Sequence, residues 1–300
     1  MVQASIALTG ILRAHKAWLE KAEGGRRADL RGVTLNDEDL HGAMLKCAIL
    51  TGATMLDSNL SSADLSGAQM DGGDFERSNF AGADLTGSDL SGANFAGAWL
   101  SNAALSEASI RKACFRRSKL SRTQMLEVNI AESSFRECDA KSVNCHQSRL
   151  FEADWSESDL TQAQFYHTRL QACRFTSVLA EGMIFTGSKL DHCDFTRAQL
   201  EDVRFLRTEL VQCSFHDCRL VHADFRDAKL RGSAFTRAML DGARFGNAQI
   251  TMADFRGASL RGAREMTADM LSQSLTDHRT ILPNGSQGPY RKFSGAERIR

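Results

Sequence analysis

"AGADLTGSDLSGANF" occupies residues 81–95 and states one five-residue phrase three times. Each copy has a small residue, an Asp or Asn, a Leu or Phe, then Ser, Thr or Ala, usually followed by Gly. A large apolar residue at every fifth place fits neither the helical period of about 3.6 nor the strand period of about 2. The register extends far beyond this stretch. Every fifth residue from Leu30 to Leu260 gives 47 positions, with 22 Leu, 15 Phe, three Met, three Ile and one Trp; only Ala140, Cys145 and Ala180 depart. The residue two places earlier is usually small, as at Ala83, Ser88 and Ala93. No slip occurs, so no loop is inserted, and the only prolines are Pro283 and Pro289.

Two inward and three outward residues in each five fit one face of a four-sided coil. Four faces close a coil of about 20 residues, and coils stack through parallel backbone hydrogen bonds. Charge offers a test, because stacked neighbours avoid like signs. Between Arg174 and Arg264, nine pairs twenty residues apart have opposite signs, among them Lys189/Glu209, Glu209/Lys229 and Asp217/Arg237. Only Glu181/Glu201 and Arg244/Arg264 match in sign.

The phrase resembles the A(D/N)LXX motif of the pentapeptide-repeat family, seen here as ADLSG at 63–67, ADLTG at 83–87 and ANFAG at 93–97. The resemblance covers residues 26–264. It implies an all-β solenoid, a right-handed quadrilateral parallel β-helix of about 12 coils. Both ends of such a stack need covering. Within residues 1–25, Leu8, Ile11, Leu12, His15, Trp18 and Leu19 fall at helical spacing and Gly24–Gly25 stop the pattern. A capping helix over the first coil is expected there, with a dimer contact as the alternative. In residues 265–300, "MTADMLSQSL" (266–275) reads as a short helix capped by Thr267, and the polar stretch 284–300 as a mobile tail.

The chain has 300 residues, 42% hydrophobic, and zero formal net charge. That balance argues against a generally basic nucleic-acid binder and against a uniformly acidic surface. No apolar run approaches the ~18 residues of a membrane span, and the first residues lack the basic segment of a signal peptide. A cytoplasmic protein is expected, with neither direct nucleic-acid binding nor membrane association, as a monomer or end-to-end dimer.

The residues with chemical potential have plain alternatives. Cys138, Cys173, Cys193, Cys213 and Cys218 take the small inward place and Cys145 the large one, so reduced packing thiols are expected. Parallel side chains on successive coils do not converge as tetrahedral zinc requires. His146 and His167 lie near Cys145, but an inward thiol is no nucleophile. Phosphate-loop, nucleophile-elbow and metal-ligand spacings are all missing from the sequence. No enzyme activity, metal or cofactor is expected.

Two charged zones remain. Residues 51–110 carry eight acids against Arg77. Members of the family that protect DNA gyrase resemble a DNA duplex in shape and charge, which implies a candidate mimicry patch at Asp64, Asp74, Asp84 and Asp89. The uninterrupted register and zero net charge depart from the loop-bearing members of that kind. The plainer reading is that Asp is the commonest outward letter. Next, "RKACFRRSKLSR" (111–122) supplies Arg111, Lys112, Arg116, Arg117, Lys119 and Arg122 with no acid among them. They form a candidate partner surface, or ordinary solvated surface. Corner glycines also vanish between 102 and 177, so corner geometry is expected to change near residue 100. Ala140 and Cys145 would thin the core and favour a bend or void. The reading that needs least is a non-enzymatic scaffold binding a protein partner through its outer faces. The alternatives are a DNA mimic acting on a topoisomerase, or an accessory or delivered module of a bacterial secretion or toxin system.

Overall fold

The computed structural model describes residues 2–298, with side chains from Leu8 onward. The chain divides into two compact units, Met1–Asn144 and Cys145–Arg300. Each is a parallel β-solenoid whose coil is 20 residues long. In the first unit, bridges join Asp29 to Ile49, Met44 to Asp64 and Lys119 to Asp139. In the second they join Asp154 to Arg174, Asp224 to Arg244 and Arg244 to Arg264. Only one face is regular enough for short strands. These are β1 (Ser109–Arg111) and β2 (Asn129–Ala131) in the first unit, and β3 (Arg149–Phe151), β4 (Arg169–Gln171), β5 (Lys189–Asp191) and β6 (Glu209–Val211) in the second.

The stacking bonds follow one rule. The Leu50 N–H donates to the Gln69 carbonyl at 2.6 Å, and the Gln69 N–H donates back to Ala48 at 2.9 Å. Most corners close with a bond across the turn, as from Ala48 N to Leu45 O at 2.9 Å. The residue two places after each large apolar one sits at positive φ, the signature of a type II turn.

That φ does not depend on glycine. Gly97 has φ 67°, and Asn102, Glu107 and Arg117 follow at 60°, 61° and 60°. Positive φ therefore persists past residue 100, and the expected change of corner geometry is confined to one face. There, among the described residues, the corners after Ile110, Ile130, Leu150, Leu170, Leu190 and Leu210 carry no bond across the turn. The Ala113 N–H donates instead to Ser133 Oγ at 3.1 Å. The reason positive φ persists lies in the stack: the N–H of Gly97 reaches Arg116 O at 2.8 Å, and that of Glu107 reaches Leu126 O at 2.8 Å. Leaving the left-handed region would break that bond. The strain of ~1–2 kcal/mol per non-glycine residue is accepted in exchange.

Inside, the large residues stack coil on coil. In the second unit Phe175, Phe195, Phe215, Phe235 and Phe255 form one column, the first three steps each 4.9 Å between centroids. Phe165, Phe185, Phe205, Phe225 and Phe245 form another, and rings of the two columns meet edge to face, as Phe195 and Phe205 do at 83°. A shorter column, Phe75, Phe95, Phe115 and Phe135, runs through the first unit. Burying each ring is worth about 1.5–3 kcal/mol, and the parallel-offset and T-shaped contacts add to it.

The small inward place has a second duty. Ser58 Oγ donates to Leu35 O at 2.8 Å, Thr123 Oγ1 to Leu100 O at 2.9 Å and Ser233 Oγ to Leu210 O at 3.0 Å. Ala, Ser, Thr and Cys interchange there because each is small and most of the polar ones find a carbonyl, commonly one coil back.

Helix α1 (Val2–Leu19) lies on the start of the first unit, with Leu8 and His15 buried. At the other end, helix α2 (Ala268–Ser272) is capped by Thr267 Oγ1, which accepts from Met270 N at 3.2 Å. Leu275 and Ile281 then bridge to Asp254 and Ser259. The stretch from 284 to 298 folds back instead of trailing as a mobile tail. Asn284 N donates to Ala296 O at 3.1 Å, Tyr290 N to Thr276 Oγ1 at 2.9 Å, and Ala296 is buried. Residues 299 and 300 lie outside the described residues.

The two inward places differ in tolerance. Ala83→Leu forces a branched side chain into a fully packed site and is expected to cost ~1–3 kcal/mol, whereas Leu85→Met is expected to cost less than ~1.5 kcal/mol. Thermal melts of the two variants check this; the Ala83 variant has the larger drop in Tm.

Candidate functional site

With the interior filled, chemistry is confined to the outward letters of the repeat. The Asp or Asn before each large apolar residue folds over its own corner. Asp64 Oδ1 accepts from Ser66 N at 3.0 Å and from Ser66 Oγ at 2.6 Å; Asp84 Oδ1 accepts from Thr86 N at 2.9 Å, and Asp89 Oδ1 from Ser91 N at 3.0 Å. Asp74 Oδ1 takes Glu76 N and, from the next coil, Asn94 Nδ2 at 2.9 Å. These are Asx turns, the local bond that makes Asp and Asn corner formers. All four members of the acidic patch thus have a structural duty, and Asp64 and Asp84 stand in register as like charges.

The basic run is spread round the coil. Lys112, Arg117 and Arg122 are the positive-φ residues of three successive corners, Arg111 ends β1, and Lys119 stands on a face between corners. Despite the absence of acids from 111–122, half of these charges are matched, because the following coil supplies partners for Lys112, Arg116 and Arg117. Arg116 and Arg117 converge on Glu137 at 2.6 and 2.7 Å, and Lys112 reaches Glu132 at 3.6 Å. Arg117 and then Arg116 hold the Glu137 carboxyl below its ordinary pKa. The Lys119 ammonium lies 4.3 Å from the centre of the exposed Trp99 ring, a cation–π contact. Arg122 borders a shallow groove with Ser101, Asn102, Ser121, Lys141 and Ser142. Arg111 and Arg122 make no ion pair among the described residues.

The interior cysteines are free thiols. Cys138 and Cys218 donate to Phe115 O and Phe195 O at 2.9 and 2.7 Å. Burial pushes their pKa values to about 11 and about 12, and drives Cys145 higher still. Cys173 is raised by its neighbour Cys193 and by burial. His146 and His167 meet edge-on at 5.8 Å, while the Cys145 thiol points inward, fully buried. Among the described residues, no group of three or more His, Cys, Asp or Glu is arranged to hold a metal.

One functional side chain of the fold escapes the repeat pattern altogether. Later coils close this corner with a backbone bond, as from Ala48 N to Leu45 O, but the Ala28 N–H meets no carbonyl among the described residues. His15 Nδ1 of α1 accepts it at 2.9 Å, with the imidazole stacked on Trp18 at 5.4 Å and Nε2 enclosed without a partner. Burial lowers the His15 pKa, the Lys46 carbonyl opposes the shift, and Arg27 reinforces it. A histidine on an apolar stripe was the available signal.

Comparison with known proteins agrees with this geometry. The family model "Pentapeptide repeats (8 copies)" matches residues 26–55, 58–97, 88–125 and 141–177, and the model "Pentapeptide repeat region" matches 188–264. The chain belongs to the pentapeptide-repeat proteins. Solved structures similar to it include HetL, a pentapeptide-repeat protein involved in heterocyst differentiation regulation in the cyanobacterium Nostoc, at 22% identity and TM-score 0.34, covering 91% of this chain and 96% of that one. A pentapeptide-repeat protein of the Arabidopsis thaliana thylakoid lumen is similar at 23% identity and TM-score 0.29, over 39% of this chain and 81% of that one. The plasmid-mediated fluoroquinolone resistance protein QnrB1 is similar at 15% identity and TM-score 0.24, over 83% and 91%. A comparison with curated protein sequences returns no match. No described helix of this pentapeptide-repeat protein is long and apolar enough to cross a membrane.

Two outcomes follow from these environments. Native alkylation near pH 8 is expected to modify only the half-buried Cys47 and Cys114, while denaturant releases all eight thiols; mass spectrometry after each treatment counts them. For His15, the folded pKa lies below the unfolded value of about 6.5, so the unfolded chain binds the extra proton as pH falls. Stability is full above that value and declines below it. Urea melts at about pH 7.5 and about pH 5.5 should show that loss, and His15→Gln, which keeps an acceptor that does not titrate, should remove its His15 share.

Proposed function

We propose that this pentapeptide-repeat protein is a non-enzymatic cytoplasmic scaffold that recognises a protein partner through the outward columns of its coils. The observation behind this reading is the filled interior. Large and small inward side chains are buried together, with most of the small hydroxyls and thiols bonded to carbonyls, so recognition is left to corners and faces. The grooves on the surface are open and shallow, such as the one beside α1 lined by Leu12, Arg13, Lys16 and Met44. Arg111 and Arg122 are the belt residues with charge to spare. Arg111→Glu with Arg122→Glu leaves the pairs at Glu132 and Glu137 intact, and should weaken capture of a host protein and its salt sensitivity without shifting Tm. Capture unchanged by this pair of substitutions removes the belt from the reading.

A topoisomerase partner is the second reading, favoured by the stacked like charges of Asp64 and Asp84. Changing Asp64, Asp74, Asp84 and Asp89 to Asn preserves the Oδ1 acceptors that hold the corners and removes four charges. If the protein mimics DNA, its inhibition of gyrase supercoiling should fall sharply in this variant while its fold, by circular dichroism, stays the same. Inhibition retained at full strength rules the mimicry out.

A further inference from the structure

The second unit holds a like-charged column whose first two members have no counter-charge among the described residues. Arg149 of β3 and Arg169 of β4 are direct partners in the parallel register, and Lys189 of β5 follows in the same column. All three are exposed. Lys189 is neutralised by Glu209 one coil on, at 3.3 Å. Arg149 and Arg169 make no ion pair or side-chain hydrogen bond among the described residues. The like-charged stacks elsewhere in this unit are relieved locally: Arg244, above Arg264, has Glu265 at 3.9 Å, and Glu201, next to Glu181, has Arg219. Two bare guanidiniums held about 4.8 Å apart by the coil rise repel each other and present two forks of donors matched to carboxylates.

The first unit carries the opposite arrangement. Asp64 and Asp84 are bridge partners in register, so their carboxylates share the spacing of one coil. Each uses Oδ1 for its own corner, and Oδ2 accepts no hydrogen bond among the described residues. Two anions and two cations at one common spacing fit each other pair by pair, because both spacings are set by the same backbone ladder. We propose that the Arg149/Arg169 column is a docking surface for a second copy of this chain, which presents its Asp64/Asp84 column to it. The exposed Phe151, adjoining Arg149 on β3, adds apolar contact at the same place. This rests on the scaffold reading and names its partner class.

The test is association in solution by sedimentation velocity. The wild type should exceed monomer mass at about 0.02 M salt and return to monomer near 1 M, where the screening length is ~3 Å. Arg149→Asp with Arg169→Asp should weaken self-association by roughly tenfold or more, and Asp64→Arg with Asp84→Arg should do the same. An equimolar mixture of these two variants should associate again, since each supplies the column that the other lacks. Asp64→Asn with Asp84→Asn guards against a corner that fails to fold: it keeps Oδ1 and should still lose association. A wild type that stays monomeric at low salt overturns the proposal, as does association that survives either reversal, or a mixture that stays monomeric. Heterologous capture that persists in a chain shown to be monomeric would leave the scaffold reading standing while this inference fails.

Discussion

Each coil is tied to the next by backbone hydrogen bonds twenty residues apart, and almost every other feature depends on that ladder. It sets the interval between phenylalanines at ring-stacking distance, so one geometry satisfies both the backbone and the core. It also holds the corner residues in the left-handed region whether they are Gly97, Glu107 or Arg117. A local preference of about 1–2 kcal/mol loses to a stacking bond that would otherwise leave a polar group unpaired. The corner glycines of the first coils ease this conformation without being its cause.

The same ladder organises the surface charge. Outward residues meet their neighbours one coil away, so Lys189, Glu209 and Lys229 pair along a column at 3.3 and 2.8 Å, as do Arg237 and Asp217 at 2.6 Å. Exposed pairs of this kind contribute about 1 kcal/mol or less. Their value lies in marking register, and a column that breaks the rule therefore stands out. Asp serves twice, as a corner cap through one carboxylate oxygen and as surface charge through the other, while Asn supplies the cap without the charge. An acidic tract in this fold is consequently built for folding before it is available for binding.

The ends obey a different constraint. A terminal coil has donors and acceptors with no coil to meet, and each end answers with unrelated chemistry. Helix α1 offers the neutral imidazole of His15 to Ala28. The C-terminal stretch offers Thr280 Oγ1 to Phe255 O at 3.1 Å and Asp277 Oδ1 to Gly257 N at 2.9 Å. Residues 282–298 close over this cap through Leu282 and Ala296, both buried. Their polar composition conceals that role.

From the sequence alone follow the five-residue phrase, the coil length, the inward columns including Cys145 and Cys173, and the two terminal helices. Strict periodicity fixes these, because every copy repeats the same local choice of large, small and polar letters. Tertiary structure decided the rest. Arg116 and Arg117 find Glu137, and Lys119 finds Trp99, across about one coil, a distance that an inspection of residues 111–122 does not reach. The corner conformation past residue 100 is likewise set by bonds to the next coil, against the preference of the residues themselves. His15 and the fold-back of 284–298 lie outside the repeat, where no period constrains them, and only the unpaired groups of an exposed coil determine what covers it.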